Sequence, residues 1–189
     1  DAVNIMLPQG GVLNLRSSVF FNNSNIEYLC YYKGYYDPCI NQHPALMNEI
    51  KNDIKSYISP EIEICLEDMK REFENKQGKI VFLDNSPPEI DITLGKDKIF
   101  LTISKKTTIE KQGESQLFDK FDFIVVSPIY NLAQIAMEIA DQEAKYCYFE
   151  YVGYSIINPR YNIKLFTMSD SSRIYTILDI KSGKEMNIA

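Results

Sequence analysis

The chain has 189 residues, 45% hydrophobic and 24% charged, with a formal net charge of -6. That length and balance suit a single folded domain with a substantial core. Asp and Glu outnumber Lys and Arg 26 to 20, and no basic cluster is longer than Lys105-Lys106, which argues against a nucleic-acid partner.

The first 25 residues read as an extended arm. Val3, Ile5 and Leu7 alternate with other residues, Pro8-Gln9-Gly10-Gly11 signals a turn, and Leu13, Leu15, Val19 and Phe21 resume the alternation. An N-terminal hairpin within the domain and a strand donated to a neighbouring copy's sheet both fit this pattern. Residues 26–39 read IEYLCYYKGYYDPC, with Tyr31, Tyr32, Tyr35 and Tyr36 between Cys30 and Cys39. Side chains that large and flat are either buried or offered to a partner. Residues 44–77 carry the helical period in Leu46, Ile50 and Ile54, then again in Ile62, Cys65, Leu66, Met69 and Phe73. Ser59-Pro60-Glu61 resets the helix between the two runs, and Gln77-Gly78 closes it.

Lys79–Asp84, Glu89–Leu94 and Lys98–Lys105 alternate as an antiparallel meander with one polar face, and Phe121–Val126 reads as a further strand. Ser127-Pro128 opens a second helix to about Lys145, with Ile129, Leu132, Ala133, Ala136 and Ile139 inward. Cys147–Val152, Tyr161–Met168 and Arg173–Ile180 read as closing strands. The expected class is α+β: antiparallel sheets packed with a kinked N-terminal helix pair and a second helix. An arm over 1–25 precedes one domain over 26–189.

The four cysteines allow two disulfides, paired as Cys30–Cys39 and Cys65–Cys147, in an oxidising compartment; four buried free thiols in a cytosolic protein is the competing reading. Asn22-Asn23-Ser24 is an acceptor triplet that would place a glycan on Asn22. No stretch reaches the roughly 18 apolar residues that span a bilayer. The chain opens on Asp1, which suggests that a leader or anchor has been removed.

Several segments carry a resemblance: the helix with Cys65-Leu66 and Phe73 closed by Gln77-Gly78, the strand Lys79–Leu83, Ile129-Tyr130-Asn131-Leu132-Ala133, the run from Ile174 to Ser182, and Asn187-Ile188-Ala189. Over roughly residues 28–189 the chain resembles a family of uncharacterised secreted or membrane-anchored surface proteins of small-genome archaea of the DPANN group. The resemblance implies an extracellular or cell-surface setting and brings no catalytic residue with it.

Catalytic chemistry has little to draw on. His43 is the one histidine, placed in Asn41-Gln42-His43-Pro44 and expected to be an exposed loop residue, so a Ser-His-Asp or Cys-His system lacks its base. Zinc-type spacing and a phosphate loop are missing, and no cofactor or metal is expected. Glu89 with Asp91, and Asp119 with Asp122, are the carboxylate pairs a hydrolase would need. Asp84, Asn85 and Asp170 could at most hold a structural calcium ion.

The expectation is therefore a non-enzymatic structural subunit of an extracellular polymer (filament, pilus or tube) whose partners are copies of itself. Val3, Ile5, Leu7, Leu13 and Leu15 would be the inserted set, and Tyr31, Tyr32, Tyr35 and Tyr36 would form contact surface. The alternative is an extracellular module that binds glycan or cell surface through the tyrosine-rich loop.

Overall fold

Turn and cap residues set the element boundaries. The computed structural model describes every residue except Lys33, Tyr35, Tyr36, Lys76, Gln77, Leu83, Asp84, Asn85, Gln112 and Gly113. In chain order the elements are α1 (Ala2–Met6), a 3₁₀ turn (Leu7–Gln9), β1 (Ser18–Phe21), β2 (Ser24–Glu27), β3 (Cys30–Tyr31), β4 (Ile40–Asn41) and α2 (Leu46–Asn75). There follow β5 (Gly78–Phe82), β6 (Glu89–Gly95), β7 (Lys98–Lys111), β8 (Glu114–Val126), α3 (Ile129–Tyr146), α4 (Tyr151–Ile157), β9 (Tyr161–Thr167), β10 (Arg173–Asp179) and β11 (Lys184–Ile188). The class is α+β with antiparallel sheets. Among the described residues no helix is long and apolar enough to cross a membrane.

The chain divides into two compact units, one of residues 1–53, 94–98 and 126–189, the other of residues 54–93 and 99–125. The first 25 residues belong to the first unit, whereas the sequence led us to expect them to stand apart as an arm.

In the first unit β10 is the central strand, flanked by β11 and β9. Tyr175 faces Ile188 on one side and Leu165 on the other. Ile174, Tyr175, Ile177 and Met186 are buried, as are Ile129, Leu132, Ala136 and Ile139 on the apolar stripe of α3. The β1–β2 hairpin turns at Asn22 and Asn23, whose φ values of 46° and 64° suit a two-residue turn of the primed type that Asn tolerates.

A polar cluster ties the ends of this sheet to the β6–β7 turn. The Arg160 guanidinium donates to both Asp179 carboxylate oxygens, at 2.7 and 2.8 Å, and to both oxygens of Asp97. Asp97 also accepts from Asn131 Nδ2 at 2.7 Å and Lys181 Nζ at 3.0 Å.

The N-terminal segment is not extended. Ala2 and Met6 lie one helical turn apart on a single face and are both buried, and Leu7 follows them into the core. Gly10 and Gly11 then reverse the chain at φ 94° and 86°, and Gly11 N–H donates to Met6 O at 2.8 Å. The 3₁₀ turn packs on β2 and β11 of the same unit. Alternation at Val3, Ile5 and Leu7 is a strand pattern, but in the helix Ile5 turns outward while Ala2, Met6 and Leu7 turn into the core, and that burial decides for the helix.

In the second unit β7 pairs with β5, β6 and β8. Gly78 lies opposite Lys111 and Phe82 opposite Thr107. Ile80, Ile90, Ile92, Ile99 and Ile103 point inward, and Phe100 and Ser104 point out, as the alternation predicts. The later half of α2 flanks β5, with Lys70 Nζ 5.8 Å from the centre of the Phe82 ring. Where Pro60 predicts two helices or one kinked helix, α2 runs as one element from Leu46 to Asn75 with Pro60 inside. Pro60 has no N–H to give the Ser56 carbonyl, and Ser59 Oγ donates to Lys55 O at 2.7 Å. The Gln77-Gly78 cap and the Asp84-Asn85 loop involve residues outside the described set.

Two further expectations are corrected. Cys65 and Cys147 are free and exposed rather than bridged. Cys147 caps α3 in the left-handed region at φ 53°, and Cys65 lies on a helix face turned to solvent. The segment Cys147–Val152, expected as a strand, leads into α4, whose first turn is capped by the Glu150 side chain accepting from Gly153 N–H at 3.2 Å.

Candidate functional site

Three short-range features build a cleft of about 290 Å³ in the first unit. The disulfide between Cys30 and Cys39, with Cα atoms 5.3 Å apart, closes the tyrosine-rich loop, and β3 pairs with β4 at its base. Closing a loop that short removes roughly 2–3 kcal/mol of unfolded-state entropy. The second wall is α3, through Ile139, Ala140 and Glu143; the third is β10, with the turn before it.

Tyr28, Tyr31 and Tyr32 line this cleft. Tyr28 and Tyr31 meet edge to face with centroids 5.3 Å apart, and Tyr28 Oη shares a hydrogen bond of 2.9 Å with Ser172 Oγ. Tyr31 and Tyr32 remain 43% and 44% exposed, so their rings are on offer rather than spent on the core.

The same cleft holds a polar set in which Glu143 and Tyr175 are buried and Arg173 is half-buried. The Glu143 carboxylate accepts from Arg173 Nη1 at 2.8 and 3.1 Å and from the buried Tyr175 hydroxyl. Arg173 Nη1 also donates to Cys147 O at 2.6 Å. Burial works against the charge on Arg173, but Glu143, Tyr32 and Tyr175 together outweigh it and the guanidinium is held above its ordinary range. Burial, and then the bond to Glu143, push the Tyr175 phenol well above its usual value, so Tyr175 stays a neutral donor. Glu143 thus fixes Arg173 at the cleft wall, where a guanidinium presents a planar fork to oxygen acceptors. Asp170 and Ser172 add acceptor and hydroxyl groups beside it, and Asp170 is itself held in place by Ser172 N–H at 2.9 Å.

A wider and more open depression of about 710 Å³, lined by Tyr130, Gln134, Glu138 and Tyr154 among others, belongs to the same unit, and its buried polar residue Asn131 is already bonded to Asp97. The tyrosine cleft is therefore the better formed site.

Of the residues singled out from the sequence, the structure brings Tyr31 and Tyr32 together with Cys30 and Cys39 in this cleft. Tyr35 and Tyr36 lie outside the described residues. Val3 and Ile5 lie on α1, and Leu13 and Leu15 follow the glycine turn; Leu13 N–H donates to the Asp53 carboxylate at 2.7 Å. Asn22 is exposed at the hairpin tip. Glu89 and Asp91 share the exposed face of β6, and Asp122 accepts from Thr102 Oγ1 at 2.7 Å.

His43 is buried rather than exposed, with Nδ1 2.7 Å from Glu49 and Nε2 3.2 Å from Glu27. Glu27 also accepts from Arg16 N–H and Ser17 N–H, so this group fastens the hairpin to the start of α2. Glu143, Arg173 and Tyr175 were not anticipated. One signal was legible: Glu143 continues the Leu132–Ala136–Ile139 stripe of α3, and an acid on an apolar stripe implies a buried partner.

Comparisons with protein-family models, with curated proteins and with solved structures give no match to this chain.

Proposed function

We propose that this protein is an extracellular glycan-binding module whose site is the tyrosine cleft. The carrying observation is the pairing of half-exposed Tyr31 and Tyr32 rings with the Glu143-anchored Arg173 in one cavity of about 290 Å³. Sugar rings have an apolar face that suits an aromatic plane, and hydroxyls that suit planar polar groups such as guanidinium and carboxylate. The volume is near the lower end of the roughly 300–1,000 Å³ of small-molecule sites, which fits one or two sugar rings. The Cys30–Cys39 disulfide and an exposed acceptor triplet at Asn22 favour the extracellular setting. We favour this reading over assembly by N-terminal strand donation because Met6, Leu7 and Val12 are buried within their own unit.

The test is a glycan array probed with the oxidised protein, followed by calorimetry on the best-retained sugar. Tyr31→Ala and Tyr32→Ala should each weaken binding by about tenfold, in line with the loss of an aromatic stacking partner. Absence of any retained glycan, or affinities unmoved by both substitutions, overturns the reading.

A further inference from the structure

β8 is long, apolar and uncovered. Among the described residues it pairs with β7 alone, so its other edge presents free main-chain donors and acceptors. Leu117, Phe123, Ile124 and Val125 are 55%, 49%, 65% and 50% exposed, on both faces of the strand. Soluble proteins blunt such edges with short strands, Pro or inward charges. Here only Asp119, Lys120 and Asp122 interrupt the run, and they fall at its middle.

The placement of those charges selects a partner. Lys120 and Asp122 lie on one face of the strand, with Lys120 Nζ 3.6 Å from the Asp122 carboxylate. A two-fold axis perpendicular to the sheet pairs β8 with a second β8 antiparallel and keeps each face, so opposing residues share parity. With the axis at Phe121, each Lys120 faces Asp122 of the second copy. Phe118 then faces Ile124, and Leu117 faces Val125. With the axis one residue earlier Lys120 faces itself, and one residue later Asp122 faces itself; like charges directly opposite are destabilising. Of these registers only the Phe121-centred one sets Lys120 against Asp122 and pairs the apolar flanks, with Asp119 facing Phe123 on the opposite face.

We infer that two copies of this chain associate through β8 in the register centred on Phe121. Residues 117–125 of each copy would contribute about eight main-chain hydrogen bonds, within the roughly 10 ± 5 of a stable protein interface. The contact is isologous and closes at two, so it makes a dimer and not a filament. It is independent of the tyrosine cleft.

Sedimentation equilibrium of the full chain from about 1 to 100 µM, a span that brackets micromolar association, tests this. The expected mass at the upper end is twice 21.9 kDa. Lys120→Asp and Asp122→Lys should each weaken association by about tenfold by opposing like charges, and the double swap should restore it. Circular dichroism checks that each variant is folded.

Register is read separately in a Cys65→Ser, Cys147→Ser background with the native disulfide kept. Phe121→Cys should cross-link to itself under mild oxidation, because directly opposed strand residues lie within disulfide reach. Leu117→Cys, eight residues from its own counterpart, should not. A chain that stays at 21.9 kDa throughout, a dimer indifferent to both charge variants, or a Leu117→Cys cross-link without the Phe121→Cys one, overturns the inference.

Discussion

Arg160→Met probes the tie that joins the ends of β9 and β10 to the turn between β6 and β7. Arg160 makes contacts with both oxygens of Asp179, which is fully buried, and with both of Asp97, which is half-buried. Removing one partner of a buried ion pair costs about 3–5 kcal/mol, because the remaining charge is left uncompensated. Asp179 keeps Ser182 Oγ at 2.8 Å and Lys181 N–H at 3.2 Å, and Asp97 keeps Lys181 and Asn131, so the lower end applies. We expect a loss of about 3 kcal/mol at pH 7, which shifts a urea midpoint by roughly 1.5 M at a slope of ~2 kcal/mol/M.

The pH dependence adds a second readout. The Arg160 guanidinium holds the Asp179 carboxyl below the usual range, and Arg160 with Lys181 does the same for Asp97. Folded-state values below the unfolded ones mean that the unfolded chain takes up protons first as pH falls. The stabilisation is therefore complete above about pH 4 and drains away below it. In the variant the Arg160 share of that depression is lost while the Lys181 and Ser182 contacts remain, so the gap between the two proteins should narrow as pH falls from 5 to 3. Urea titrations at pH 7, 5 and 3 measure it. A loss under about 1 kcal/mol at pH 7, or a gap that stays constant down to pH 3, refutes the reasoning.

Leu7→Ala should destabilise by about 2–4 kcal/mol in thermal or urea unfolding, since Leu7 is a core residue. A neutral result would return the N-terminal segment to the status of a free arm. His43→Leu leaves the buried Glu27 without its ring partner and should cost about 2–4 kcal/mol, read by the same unfolding curves. Reduction of the Cys30–Cys39 bridge should lower stability by roughly 2–3 kcal/mol. It should also abolish glycan binding in calorimetry, because the loop that carries Tyr31 and Tyr32 loses its closure. Retained affinity under reduction would detach the cleft from the disulfide.

Local pattern alone determined a good part of this protein. The period of two placed β6 and β7, and the 3.6-residue stripe from Ile129 to Ile139 placed α3 and its buried face. These features depend on neighbours close in sequence, so periodicity reads them directly. The Cys30–Cys39 pairing was legible for the same reason, being a closure of 9 residues.

Only the tertiary structure decided the rest. Val3, Ile5 and Leu7 alternate as a strand would, and the burial of Met6 and Leu7, the latter in the turn packed on β2 and β11, made the segment helical instead. His43 sits in a stretch with turn character, and its burial depends on Glu27, 16 residues away. Cys65 falls on the stripe with Ile62, Leu66, Met69 and Phe73, which suggests a protein-facing thiol, and only the tertiary structure turns it to solvent and leaves it unbridged to Cys147. The cleft follows the same logic: Glu143, Arg173 and Tyr175 come from a helix and a strand some 30 residues apart, and no local pattern encodes their meeting. Short-range sterics and periodicity are written along the chain, whereas the partner of a buried charge is fixed by which distant element packs against it.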